Sequence, residues 1–303
     1  SRRQVCILSM WQWARNLWES SRTQLSHIQG VGLSTAILRS SGPRPVPLSY
    51  RLLDGQDTLP PVVFLHGLFS NKNIFQAEAE ALAKQTGRKV LTVDAKSHGE
   101  SPHSPDCSYE AMSTDLQALL SKLGLSPCVL IRHSMGGKTA MALALQKPEL
   151  VERLVSVDIS PLVATDMPKI FKIVPAMKTI NILGDELRWV CQLSPCTFQD
   201  SSIRQYLFNS LVRVNGQYEW KVNAENLWQQ QNSFLDSLQI QGIYHGPTLF
   251  LRSTNSSFIP PSHYPKIKLL FPEAQFQTLP DTGHILHIKK PQEFHEQGFC
   301  VKP

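Results

Sequence analysis

"VLIRHSMGGKTAMALALQKPEL", residues 129–150, is the stretch on which the reading of the whole chain turns. An apolar run from Cys128 to Ile131 meets a serine held between His133 and Met135, and two glycines lead into an alanine- and leucine-rich stretch of helical character. Strand, tight turn and helix in that order resemble a nucleophile elbow, G-x-S-x-G. Such a turn lifts the serine Oγ above a sheet, where the helix N-terminus and the next backbone N–H can hold an oxyanion. Arg132 stands where the first glycine of that pattern belongs.

Working outward, the chain alternates short apolar runs with helical patterns from Tyr50 onward, the sign of a mostly parallel sheet wrapped by helices. Strands are expected at 61–67, 89–94, 128–131, 153–158, 248–253 and 274–280, and helices at 74–85, 108–123, 136–147 and 263–270. Residues 162–245 break the rhythm with apolar helical patches and a hairpin signal at Asn215–Gly216, flanked by Val212, Val214, Tyr218 and Trp220. They read as a cap inserted between two sheet strands of a single domain spanning 47–303.

At 303 residues, with 42% hydrophobic and 18% charged residues, the chain has ordinary globular composition and the length for one α/β domain carrying an insertion. The net charge of +6 comes largely from residues 1–46, which hold six arginines and a single acidic residue, Glu19. That distribution gives no nucleic-acid groove. An Arg- and Ser-rich, acid-poor extension has the composition of a mitochondrial transit peptide, and the expected location is the mitochondrial matrix. Nowhere do the ~20 consecutive apolar residues of a membrane span occur. The six cysteines are scattered, without a C-x-x-C pair, and read as free thiols in a reducing compartment. No metal or nucleotide site is visible, and no cofactor is expected.

A serine nucleophile needs a histidine base and a carboxylate to orient it, in the chain order Ser, Asp/Glu, His for an elbow of this kind. Asp158 ends the strand pattern "RLVSVD", and His284 follows the penultimate strand pattern in "LPDTGHILH". Asp281 and Asp236 compete for the acid position. His66–Gly67, directly after the strand "VVFL", opens a loop whose Leu68 or Phe69 N–H would pair with that of Met135 to form an oxyanion site.

The blocks "SYRLLDG" (49–55), "VVFLHGLFSNK" (62–72), "LTVDAKSHGESPHSP" (91–105), "HSMGGKTAMALALQKPELVERLVSVDISP" (133–161), "GPTLFLRSTNSSF" (246–258) and "LPDTGH" (279–284) resemble the α/β-hydrolase family, in particular a mitochondrial branch related to bacterial esterases. The resemblance runs from about Tyr50 to about Phe294. It implies an α/β-hydrolase fold with a helical cap and serine ester hydrolysis, with acylglycerol lipids as the substrate class. It also implies that Ser134 is the nucleophile, His284 the base, Asp158 the acid and Ser256 a support of the triad. This chain departs from the family pattern at Arg132, at Ser253–Thr254, where two glycines are usual, and at Ile285, where tryptophan is usual. The final helix is poorer too, with His295, Glu296 and Gly298 interrupting its apolar face.

Two functions follow. In the first, the chain is an active hydrolase of small-molecule or lipid esters. In the second it is a catalytically impaired hydrolase fold that binds a mitochondrial protein partner, because a long side chain at position 132 strains the turn. Strained backbone costs on the order of 1–3 kcal/mol. An arginine swung outward into solvent, its stem lying along the neighbouring strand, would spare the elbow that cost.

Overall fold

The computed structural model describes residues 44–163, 170–179, 201–215, 217–235 and 237–299. Most of the proposed transit peptide, Asp236 and Gly216 lie outside the described residues.

Seven strands form one sheet in the order β1-β3-β2-β4-β5-β8-β9. They are β1 (Tyr50–Leu53), β2 (Val62–Leu65), β3 (Val90–Val93), β4 (Cys128–His133), β5 (Val151–Val157), β8 (Thr248–Ser253) and β9 (Ala274–Leu279). The strands β2, "VVFL", and β3, "VLTV", are buried at every position, as parallel strands covered on both faces must be. All neighbours pair in parallel except β1, which runs antiparallel to β3 at the edge. The largely exposed sequence "YRLL" of β1 has no alternation to mark it as a strand, which is why the sequence pattern shows none there.

Alternate residues of the strands feed two cores. Val63, Leu65, Leu91, Cys128 and Leu130 meet helices α2 (Tyr109–Leu123) and α3 (Met135–Gln146), whereas Val62, Phe64, Val90 and Ile131 meet α1 (Gln76–Thr86) and Phe294 of the final helix. Ser108 caps α2 by accepting from the Ala111 N–H. The final helix does form, over Pro291–Phe299, with Phe294 fully buried. Cys107 and Cys128 are free and buried.

After β3 the chain crosses over β2 to enter β4 on its far side, so the loops leaving β2 and β4 part in opposite directions. A crevice opens beyond the carboxyl ends of strands at such a switch point. Both elements that the sequence marks for chemistry, His66–Phe69 and Ser134, leave the sheet there.

Between β5 and β8 the described residues form helices at Ile173–Thr179, Ser201–Phe208, Ala224–Gln229 and Gln231–Leu235, and an antiparallel ribbon of β6 (Leu211–Val214) and β7 (Gln217–Trp220). Asn215 has a φ of 52° at the tip of that ribbon.

Candidate active site

Ser134 lies between β4 and α3 with φ 52° and ψ −120°, outside the ordinary regions for a residue with a side chain. Its N–H donates to the Val157 carbonyl of β5, and its own carbonyl accepts from Gly137 and Lys138, so the turn is tied at both ends. Close packing explains the two glycines. A Cβ on Gly136 would come within 2.5 Å of the Leu65 carbonyl oxygen, and one on Gly137 within 2.3 Å of the Ile159 Cγ2.

Arg132 does not swing into solvent. It stays in register with Leu65 and Ser156 and is fully buried, and no side-chain nitrogen of it has a hydrogen-bond partner among the described residues. Burial pulls its guanidinium down to about 9. The turn forms around it nonetheless.

The three residues singled out for chemistry converge. His284 Nε2 lies 3.0 Å from Ser134 Oγ, and His284 Nδ1 lies 2.8 Å from Asp158 Oδ2. Asp158 follows β5 at φ 50° and is fully buried. Its Oδ1 accepts from the Ser253 N–H at 3.0 Å, and its Oδ2 also accepts from Ser256 Oγ. Asp281, by contrast, is exposed; its backbone N–H donates to Thr254 Oγ1. Phe258, unmarked in the sequence, stacks on the His284 ring with centroids 3.9 Å apart.

The loop after β2 separates the two oxyanion candidates. The Phe69 N–H donates to His98 Nε2 at 3.3 Å, so it is already engaged. The N–H groups of Leu68 and Met135 have no such bond among the described residues, and Met135 opens a helix, where the first N–H groups have no partner within the helix. His98 can accept because its Nδ1–H donates to the Lys96 carbonyl. His66 works in the same way, donating from Nδ1 to the Gly67 carbonyl and accepting the Ala95 N–H at Nε2. Burial lowers both imidazoles, His98 to about 3, which keeps each neutral with one donor and one acceptor. The insertion holds the same loop from the other side: Tyr206 Oη donates to the Leu68 carbonyl at 2.9 Å and Ser210 Oγ to that of Phe69. Sequence reasoning missed His98 and Tyr206. The first lay inside a quoted block, "AKSHGES"; the second stands in an apolar helical patch where nothing distinguishes it.

A family model described as the alpha/beta hydrolase fold matches residues 60–291. The chain belongs to the α/β-hydrolase family. Among its relatives, this hydrolase is 48% identical to the mouse protein named sn-1-specific diacylglycerol lipase ABHD11, over 94% of this chain and 97% of that one. It is 44% identical to the zebrafish protein of the same name, over 82% and 80% of the two chains. A solved structure titled as a marine microorganism esterase superposes on the hydrolase with a TM-score of 0.76 at 30% identity, over 84% of this chain and 98% of that one. No helix among the described residues is long and apolar enough to cross a membrane.

Proposed function

We propose that the chain is a serine ester hydrolase in which Ser134, His284 and Asp158 act as the triad and an acylglycerol lipid is the substrate. The observation that carries this reading is the single imidazole of His284, bonded through Nε2 to the serine and through Nδ1 to the carboxylate. The names of the mouse and zebrafish relatives support the substrate class.

Ser134 Oγ attacks the ester carbonyl carbon while His284 Nε2 takes its proton. The negative charge that develops on the carbonyl oxygen is met by the Leu68 and Met135 N–H groups. Donors already in place cost no reorganisation when the charge appears. Asp158 holds the imidazole in the tautomer that presents a bare Nε2 and steadies its charged form. The tetrahedral intermediate then collapses: the C–O bond to the alcohol breaks and His284 returns the proton to the leaving oxygen. Water attacks the acyl-enzyme by the same route in reverse and frees Ser134.

In this reading the insertion, about 162–245, is a cap over the site, and the bonds from Tyr206 and Ser210 to the Leu68–Phe69 loop support it. The Arg- and Ser-rich residues 1–46 support import into mitochondria, which localisation of the tagged full chain tests. The unpaired burial of Arg132 is the observation on the side of an impaired hydrolase that binds a protein partner. A fluorophosphonate probe decides between the two. Active hydrolase predicts near-stoichiometric labelling that Ser134→Ala abolishes; an unlabelled, folded wild type overturns the enzyme.

A further inference from the structure

His133 takes no part in the proton transfers above, yet it is the last residue of β4 and the neighbour of the nucleophile. Its ring is buried, on the opposite face of the strand from Arg132. His133 Nε2 lies 2.9 Å from the backbone carbonyl oxygen of His284. A carbonyl can only accept, so Nε2 carries the hydrogen and donates it. Burial holds this imidazole well below its ordinary range, so the ring is neutral, and its Nδ1 has no partner among the described residues. The ring also lies against that of His284, centroids 4.8 Å apart.

Ser134 and His284 stand on loops that leave β4 and β9, and β5 and β8 lie between those strands in the sheet. One hydrogen bond between such loops fixes a distance but leaves rotation free. Two bonds from adjacent residues to one residue fix both. That is the arrangement here: residue 134 bonds the ring of His284 and residue 133 bonds its main chain.

We propose that His133 is a positioning residue for the hydrolysis, its Nε2–H strapping the main chain of His284 to the elbow and so setting the separation of nucleophile and base. The proposal rests on the triad reading above. Displacing a reacting group by about 1 Å can cost roughly 10²-fold in rate, so partial loosening of this strap is worth roughly 10-fold.

The test compares His133→Phe, which keeps a ring without the N–H, with His133→Gln, whose amide restores a donor near Nε2. Rates of fluorophosphonate labelling at Ser134 are read together with kcat and KM for a p-nitrophenyl ester. His133→Phe is expected to lower labelling and kcat by roughly 10-fold while KM moves less than about twofold, since the ester's own contacts are untouched. His133→Gln is expected to recover most of the loss. Should His133→Phe fail to melt cooperatively, His133→Asn takes its place, its shorter amide falling short of the carbonyl. Wild-type rates in His133→Phe, or equal impairment of the Gln variant and the Phe or Asn variant, overturn the strap and leave the triad standing. No labelling of the wild type overturns the triad reading and the strap with it.

Discussion

Arg132, two residues before Ser134, and Ser156 stand opposite one another in the β4–β5 ladder, and their side chains do not bond to each other. The Ser156 hydroxyl donates to the Ile159 carbonyl instead, and the guanidinium of Arg132 is left buried with no acceptor among the described residues. The expected cost of arginine at this position was a distorted turn. The turn is intact, with Ser134 Oγ and His284 Nε2 3.0 Å apart, and the cost lies in carrying an unpaired charge out of water.

Replacing Arg132 should therefore change stability more than turnover. Arg132→Met keeps an unbranched stem and removes the charge, and is expected to stabilise the fold by about 3 kcal/mol, the scale of an uncompensated buried charge. Arg132→Gly should gain less, because the missing side chain leaves a cavity. Urea unfolding of the three proteins measures both effects. For Arg132→Gly, kcat should change by less than about 10-fold, or about 1.4 kcal/mol of barrier. A larger rise would show that the arginine does crowd the elbow.

Asp158 and Asp281 are separated by the same assay. Asp158→Asn should cut kcat on the order of 10³- to 10⁴-fold, because the imidazole loses the partner that fixes its tautomer. Asp281→Asn should leave turnover close to wild type, since that residue is exposed and its backbone N–H bonds Thr254. Ser256→Ala should fall between them at roughly 10-fold, the worth of one hydrogen bond to a charged group. The mapping fails if Asp281→Asn is the variant that loses turnover.

Gly67 permits a further check on the loop. A Cβ there would lie 2.6 Å from His133 Nδ1, 2.7 Å from Tyr206 Oη and 3.1 Å from Ser134 Cβ. Gly67→Ala should therefore displace the oxyanion loop and slow labelling at Ser134 even where the melting temperature is little changed. An alanine variant labelled at the wild-type rate would mean that the loop yields without moving its amide.

Acid should unfold this protein early. Burial lowers His98 and His287 to about 3, from 6.5 in the unfolded chain. Below pH 6.5 the unfolded state binds protons that the folded state refuses. The stability these residues contribute is thus complete above about pH 6.5 and is lost as pH falls toward 3, at up to about 1.4 kcal/mol per pH unit for each. His287 packs between Phe75 and Phe294 with both ring nitrogens unpartnered among the described residues. His287→Phe should flatten the fall in melting temperature between pH 6.5 and 5, and an unchanged slope would show that His287 titrates normally.

Much of this protein is legible in its sequence because the signals are local. An apolar run, a serine and two glycines make a strand, a turn and a helix whatever lies elsewhere. Asp158 and His284 are visible because the first ends a strand pattern and the second follows one, in the chain order an elbow of this kind calls for. The strand β1 was not legible, because an edge strand with three exposed positions carries no alternation. Nor could the sequence separate Leu68 from Phe69, adjacent residues with the same backbone donor; only the fold brings His98, from another loop, to the Phe69 N–H. The fate of Arg132, the tie from His133 to His284 and the grip of Tyr206 on the loop after β2 were decided only in the tertiary structure. Each depends on which groups from distant parts of the chain are brought together: a hydrogen bond needs its partner within about 3 Å, and a buried charge is costly where none arrives.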